Sequence, residues 1–156
     1  MVSDVKVIGV RGEASFDDMV KHFTSLGGDV VVMDPMYVCG KDHIISAVRH
    51  AERSFANGTN RSKTLLTETI LYAAGERQIS KAMSRMRPKE GCKEYALALI
   101  DVPDDLRLDD IGMERDDSII EANESKAKAM GLDTSFGIDY EDLAIEMVAL
   151  LELAKY

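Results

Sequence analysis

Thiol and imidazole side chains, which often act in catalysis or metal binding, occur close together at Cys39, His43 and His50. A thiol beside an imidazole could act as nucleophile and base, and two histidines could bind a metal ion. On a helix, however, His43 and His50 would lie two turns and about 10 Å apart, too far for one metal ion. No Gly-x-Ser-x-Gly motif and no histidine with paired carboxylates accompanies them. The sequence therefore predicts no catalytic residue, no metal site and no cofactor, and we expect a binding protein.

Two short strings in the sequence resemble parts of nucleotide-binding loops. Residues 62–64 read Ser-Lys-Thr, like the end of a P-loop, but Asn57 and Ser62 stand where that motif requires glycine. Gly9 and Gly12 do not continue into a dinucleotide-binding fingerprint. Neither string predicts a nucleotide site.

The composition is typical of one globular domain. The chain has 156 residues, of which 46% are hydrophobic and 30% charged, and a chain of this length buries roughly 70% of its unfolded surface without a disulfide or metal. Its longest apolar run, residues 95–100, is far shorter than the ~20 residues that a membrane helix needs. No secretory signal is visible at the start. We therefore expect a single domain over residues 1–156, located in the cytoplasm, with Cys39 and Cys92 as ordinary thiols.

The formal net charge of -9 hides an uneven distribution along the chain. Residues 1–40 carry 3 basic and 6 acidic side chains, residues 41–93 carry 11 and 5, and residues 94–156 carry 5 and 17. The middle third could therefore bind a polyanion, and the last third could bind a basic protein surface. The same charges could equally be the solvated faces of amphipathic helices.

Apolar spacing predicts the elements that must position these groups. The predicted strands are 5–10, 29–33 and 95–100, and residues 36–38 could extend or follow the second of them. The predicted helices are 15–26, 42–55, 62–74, 76–86, 116–130 and a last helix that begins with Asp139 as its N-cap. On the fourth helix Arg77, Lys81 and Arg85 fall four residues apart and would form one basic row. This order predicts a single-domain α/β (α+β) fold, with a mixed or antiparallel sheet packed with several helices.

The most specific pattern lies in residues 38–83. It consists of Val38, Gly40 and His43, then His50, Ala51, Arg53, Phe55 and Asn60, and above all the string ETILYAAGERQI at 68–79. This pattern resembles the small Cgi-type accessory subunit of the KEOPS (EKC) complex, the family that includes the PRPK-binding protein (TPRKB). The resemblance is clear over residues 28–100, extends to the final helix, and is weak for the first strand and for residues 101–136. Arg61-Ser62 and Arg87-Pro88 depart from the family pattern.

This resemblance implies a noncatalytic subunit of the machinery that installs N6-threonylcarbamoyladenosine (t6A) on tRNA, with the chemistry carried out by other subunits. A subunit of this family binds the small-lobe side of an atypical kinase/ATPase subunit, stimulates its activity and helps to recruit tRNA through the single-stranded 3′ CCA end. We therefore expect the kinase/ATPase subunit and the tRNA acceptor end as direct partners. The other KEOPS subunits would be indirect partners, and we expect no membrane partner.

Side chains of the middle third supply the groups that RNA binding needs. Phosphates require Lys and Arg along a continuous path, and unpaired bases require hydrogen-bonding groups and a close approach. The candidate tRNA-binding residues are Asn60, Arg61, Lys63, Gly75, Arg77, Gln78, Lys81 and Arg85. Any single arginine of this set could instead be a solvated charge.

The final helix carries too much apolar surface for one buried stripe. Leu143, Met147, Leu150, Leu151 and Ala154 can face the sheet, while Ile145, Val148 and Leu153 extend the apolar surface to a second side. The candidate residues for binding the kinase subunit are Ile145, Val148, Leu150, Leu151 and Leu153. The second side could alternatively be buried within the fold or form a homodimer.

Two other functions fit the same sequence. A generic protein-interaction module without RNA binding would leave Arg77, Lys81 and Arg85 as solubilising charges. A small enzyme would have to use Cys39 or His43.

Overall fold

A four-stranded antiparallel sheet forms the centre of the fold. The computed structural model describes residues 3–154. Its strands are β1 (Val5–Gly12), β2 (Asp29–Met33), β3 (Glu94–Ile100) and β4 (Met113–Arg115). They lie in the order β2-β3-β1-β4, and every neighbouring pair is antiparallel. The structure confirms the predicted α+β class and decides between the two sheet types that the sequence left open.

Helices cover both faces of this sheet. They are α1 (Phe16–Ser25), α2 (Lys41–Asn57), α3 (Leu65–Ala74), α4 (Ile79–Met86), α5 (Glu124–Ala129) and α6 (Tyr140–Ala154). Helix α1 packs on one face through Met19 and Phe23, whereas α2, α3, α4 and α6 share one apolar cluster on the other face. Because both faces are covered, β2 and β3 are nearly continuous apolar runs. No helix within residues 3–154 is both long and apolar enough to cross a membrane.

Several predicted helix ends are confirmed by their caps. The Ser15 hydroxyl accepts a hydrogen bond from the backbone N–H of Asp18, and the Asp18 carboxylate accepts one from the N–H of Ser15, which completes a capping box. Gly58 ends α2 with a φ of 71°, a conformation that glycine adopts without a steric penalty. The Asp139 carboxylate accepts from the N–H of Asp142 at the start of α6.

Two predicted helices begin later than the spacing suggested. The helix predicted from residue 62 begins at Leu65, because Thr64 is its N-cap and accepts from the N–H of Thr67. The helix predicted from residue 76 begins at Ile79. Arg77 therefore precedes α4, and the prediction of one helical row through Arg77, Lys81 and Arg85 is wrong.

The predicted helix 116–130 is also wrong. The chain forms a short turn of 3-10 helix at Asp117–Ile120 and then the brief helix α5. Asp116 and Asn123 each accept a hydrogen bond from a backbone N–H two or three residues further on, and each therefore starts a new element. The sequence prediction likewise missed β4, and residues 36–38 do not extend β2, since Pro35–Tyr37 is a turn of 3-10 helix.

Helix α6 is held against α2 by a carboxylate as well as by apolar packing. Gly40, the N-cap of α2, has no side chain to accept from the first turn. The Glu141 side chain takes over this role and accepts a hydrogen bond from the N–H of Asp42 at 3.0 Å. A side chain at position 40 would collide with Glu141, so the glycine makes room for a cap supplied by α6.

Candidate functional site

The predicted tRNA-binding residues lie at both ends of α3. Three of them, Asn60, Arg61 and Lys63, precede the helix. Gly75, Arg77 and Gln78 follow it, and Lys81 and Arg85 belong to α4. Because a helix rises about 1.5 Å per residue, these two groups lie about 15 Å apart along α3. The structure thus divides the set into an N-terminal loop and a C-terminal joint.

The N-terminal loop, residues 60–63, is held by one buried carboxylate. Glu68 of α3 is fully buried and accepts hydrogen bonds from the backbone N–H groups of Arg61 and Ser62, at 3.1 Å and 2.9 Å. The Ser62 hydroxyl donates to the same carboxylate at 3.0 Å. A buried carboxyl group needs hydrogen-bond donors, and these three bonds supply them. Glu68 therefore fixes the backbone of the loop.

The three candidate residues of this loop differ in their exposure. The side chains of Arg61 and Lys63 are exposed. Asn60 is half-buried, and its amide donates to the backbone carbonyl of Ser62 at 2.8 Å. Lys63 is therefore accessible from solution, whereas Asn60 shapes the loop.

The C-terminal joint is formed by Gly75, which ends α3 with a φ of 62°. A Cβ at this position would lie 2.6 Å from the Cγ of Met147, a side chain of α6. Glycine is therefore required twice, for the left-handed backbone and for the close approach of α6. This contact brings the ETILYAAGERQI segment against the last helix of the chain.

Two basic side chains around this joint, those of Arg77 and Arg85, donate hydrogen bonds to carbonyl groups at the ends of helices. Arg77 is exposed, and its guanidinium donates to the carbonyl of Ala154 in α6 at 3.3 Å. Arg85 is half-buried and donates to the carbonyl of Ala74 at 3.0 Å. Such cations neutralise the partial negative charge at helix C-termini. Gln78 and Lys81 are exposed beside them.

A groove of about 370 Å³ opens where the joint meets α6. Residues 75–77 form one wall, residues 131–133 another, and α6 forms the floor with Met147 and Leu150. Arg77 brings a positive charge to this groove, and Glu76, Asp133 and Glu146 bring negative charges. The groove therefore joins the predicted tRNA-binding segment to the predicted kinase-binding helix.

The open face of α6 differs from the predicted one. Val148 and Leu151 are buried in the cluster that contains α2 and α3, so the prediction that they are available to a partner is wrong. Leu150 and Leu153 remain 54% and 75% exposed. Ile145 is half-buried. The apolar edge that α6 presents to solvent is therefore formed by Leu150 and Leu153.

A polar cluster lies under the same helix. Glu152 of α6 accepts a hydrogen bond from the hydroxyl of Tyr72 in α3, and its carboxylate lies 3.6 Å from Nδ1 of His50 in α2. The hydroxyls of Tyr72 and Ser54 are hydrogen-bonded at 2.8 Å. The cluster joins three helices and fixes the rotation of α6, which determines the side that faces solvent.

A comparison with known protein families shows to which family the chain belongs. The model of the CGI-121 family, described as kinase binding protein CGI-121, matches residues 17–144, well over half of the chain. The chain belongs to the CGI-121 family. This confirms the resemblance drawn from residues 38–83. A search of curated proteins finds no significant match.

In this CGI-121 protein, the thiol of Cys39 and the imidazole of His43 lie inside the fold and do not reach its surface. Cys39 is buried against Met130, and burial raises the pKa of its thiol. The Nδ1 atom of His43 accepts from the N–H of Cys39 at 3.1 Å, while Nε2 donates to the carbonyl of Ala73 at 2.9 Å. Burial lowers the pKa of His43 to about 4, so the ring is neutral. Both ring nitrogens hold the backbone in place.

Sequence reasoning missed Glu68, the residue on which the N-terminal loop of this CGI-121 protein depends. Glu68 opens the string ETILYAAGERQI, and it was treated as part of a pattern rather than as a side chain with a role. The available signal was a carboxylate beside the buried positions Thr69, Leu71 and Tyr72 of α3. A buried carboxylate needs hydrogen-bond donors, and the preceding polar loop is the nearest source.

Proposed function

We propose that this protein is a noncatalytic KEOPS subunit that binds the kinase/ATPase subunit of the complex and stimulates its activity. Membership of the CGI-121 family supports the kinase as its partner. The observation that carries the proposal is the exposed edge formed by Leu150 and Leu153 on α6. Such an apolar centre with the charged Glu146 beside it is the usual anatomy of a protein interface.

The kinase-binding part is tested by charge substitution on the exposed edge of α6. We expect Leu153→Asp to weaken binding of the KEOPS kinase/ATPase subunit at least about a hundredfold, because a carboxylate would be buried without a partner. Isothermal titration calorimetry with both purified proteins measures this effect. Phe136→Asp is the matched control, since Phe136 is an exposed apolar residue outside α6. Unchanged affinity in both Leu153→Asp and Leu150→Asp, with unchanged melting temperatures, would show that another face binds the kinase.

We also propose that the protein supports t6A formation by recruiting tRNA through its 3′ CCA end. Arg61 and Lys63 at the N-terminal loop, and Arg77, Gln78 and Lys81 at the C-terminal joint, would supply the contacts. Support comes from the net positive charge of residues 41–93 and from the resemblance of the ETILYAAGERQI segment to its family. The unpaired nucleotides would lie beside Arg77, Gln78 and Lys81, whose exposed side chains supply positive charge and hydrogen-bonding groups.

The tRNA part is tested by measuring binding to one tRNA with and without its CCA end at two salt concentrations. We expect trimming to weaken binding, and Arg77→Ala and Lys63→Ala each to reduce the slope of log affinity against log salt by about 0.7. Lys21→Ala is the matched control, since Lys21 is an exposed lysine of α1 on the other face of the sheet. Equal affinity for intact and trimmed tRNA would contradict acceptor-end recognition and favour a protein-interaction module without RNA binding.

A further inference from the structure

The outer edge of β2 is open to another strand. Within residues 3–154, β2 pairs only with β3 and forms one margin of the sheet. In an antiparallel strand, alternate residues direct their N–H and C=O groups to opposite sides, so part of the β2 backbone points away from β3. One end of this margin is closed, because the N–H of Asp34 donates to the carbonyl of Met86 at 2.8 Å. Since the N–H of Asp34 points away from β3, the outward-facing backbone groups of β2 are those of Val30 and Val32, which are 6% and 5% exposed.

This edge lies at the bottom of an apolar groove of about 280 Å³. Phe16 and Val20 of α1 form one wall. The other wall consists of residues from α3 and α4, namely Leu66, Thr67, Ile70, Met83 and Met86. Phe16 is 49% exposed at the rim. The two walls belong to opposite layers of the fold, so the groove runs along the strand edge between them.

The size of the groove indicates a peptide as its occupant. Clefts that bind small molecules and cofactors enclose about 300–1,000 Å³, so this volume is below their usual range. A single extended chain needs only a strand edge for its backbone and shallow pockets for alternate side chains. The helices on both sides also prevent a second sheet from approaching the edge.

The positive charge of Arg87 indicates which kind of peptide would bind. Of the residues that the structure describes, Arg87 is the one charged residue that lines the groove. Its side chain is exposed, and within residues 3–154 no carboxylate forms an ion pair with it. The neighbouring Lys89, in contrast, is paired with Asp34 at 3.1 Å. Arg87 therefore offers an unsatisfied cation at the end of an apolar groove, which favours a carboxylate on the occupant.

We propose that the open edge of β2 binds an extended peptide segment of a partner protein, in which apolar side chains alternate with polar ones and an acidic side chain meets Arg87. The peptide backbone adds a strand beside Val30, Val31 and Val32. Its apolar side chains contact Phe16 and the wall from α3 and α4. This site lies apart from the exposed edge of α6 and from the Gly75 groove, and it does not depend on the proposed function.

The probe for this site is a peptide selected on the intact protein from a random twelve-residue phage library. Selected sequences are synthesised with acetylated and amidated ends, so that only side chains can supply a carboxylate. We expect them to contain an acidic residue next to alternating apolar residues. Binding should weaken at least about tenfold in Phe16→Asp and in Arg87→Glu. The matched controls, Phe136→Asp and Arg53→Glu, change an exposed phenylalanine and an exposed arginine elsewhere and should bind normally.

Two further measurements separate strand addition from unspecific binding. Replacing the acidic residue of the peptide by its amide should weaken binding to the unsubstituted protein but not to Arg87→Ala, because the two changes remove one shared contact. Peptide binding should also slow amide hydrogen exchange in β2 and leave β4 unchanged. The proposal is overturned if selection yields no peptide, if Phe16→Asp and Arg87→Glu bind selected peptides normally, or if a second copy of the chain occupies the edge in sedimentation experiments.

Discussion

The candidate RNA-binding side chains at the two ends of α3 are held in place by contacts with different parts of the chain. At the N-terminal end, the loop of residues 60–63 rests on Glu68, a side chain of the same helix. At the C-terminal end, Gly75 packs against α6, and the carbonyl of Ala73 is held by His43 of α2. The first end is organised within one short segment, and the second depends on contacts with distant parts of the chain.

This difference predicts how far a disturbance spreads. A change at the N-terminal loop should remain there, because the hydrogen bonds that join it to Glu68 lie within one short segment. A change at the C-terminal joint should reach α6 through Met147 and alter the face that we propose binds the kinase. Three substitutions test this contrast, in order of decreasing effect on the free energy of unfolding.

Glu68→Ala should have the largest effect. It leaves the N–H groups of Arg61 and Ser62 without the carboxylate that accepts from them and creates a cavity beside them, for a loss of about 4 kcal/mol. Urea unfolding measures this loss, with Glu90→Ala as the control for an exposed glutamate. Hydrogen exchange should accelerate at residues 60–64 and stay slow at residues 73–76. Faster exchange at both ends would show that the two ends are coupled.

Lowering the pH should act mainly on the other end. His43 has a folded-state pKa of about 4 against an ordinary value of 6.5. Between these values the unfolded chain binds the extra proton, so stability is present above pH 6.5 and falls as the pH drops towards 4, by about 3 kcal/mol. His43→Gln should remove this part of the pH dependence of unfolding, whereas His22→Gln should retain it.

Hydrogen exchange measured during the same titration distinguishes the two ends of α3. Over this pH range we expect hydrogen exchange to accelerate first near Ala73, whose carbonyl accepts from His43. Residues 60–64 should follow only with global unfolding. Equal pH slopes for the unsubstituted protein and His43→Gln would mean that this histidine is not the group that senses the proton.

Gly75→Ala should have a smaller effect that isolates the contact with α6. Alanine strains the left-handed backbone at both Gly75 and Gly58, but only at Gly75 does the added Cβ meet another residue. We expect Gly58→Ala to cost about 1 kcal/mol and Gly75→Ala about 2 kcal/mol. Only Gly75→Ala should weaken kinase binding. If both variants lose equal stability and both bind the kinase normally, the contact with Met147 has no energetic role.

Local signals account for the parts of the fold that were predicted correctly. Ser15 with Asp18, and Asp139 with Asp142, are caps formed within one turn of chain, and the structure has both. The apolar runs at β2 and β3 were recognised because burial on both faces leaves few polar positions. The family was recognised from the string at residues 68–79, which needs no tertiary information.

The errors have two sources: local capping by polar side chains, which apolar spacing does not register, and burial decided by distant segments. The spacing places Ser62 in a helix, but its N–H and hydroxyl donate to Glu68, six residues further on. Asp116 and Asn123 each begin a new element by accepting from the backbone, which interrupts the helix that apolar spacing predicted. Val148 was assigned to a partner because periodicity cannot tell which of two apolar sides of a helix will be covered.

Caps, apolar spacing and the string at residues 68–79 are therefore sufficient to predict most of the elements, the α+β class and the family. That Leu150 and Leu153 form the open edge of α6, and that Gly75 meets Met147 there, follows from packing between helices. The physical reason is that caps and apolar spacing act within a few residues of chain. Which side of a helix is buried depends on contacts with segments far away in sequence, and hydrophobicity has no direction that could specify them.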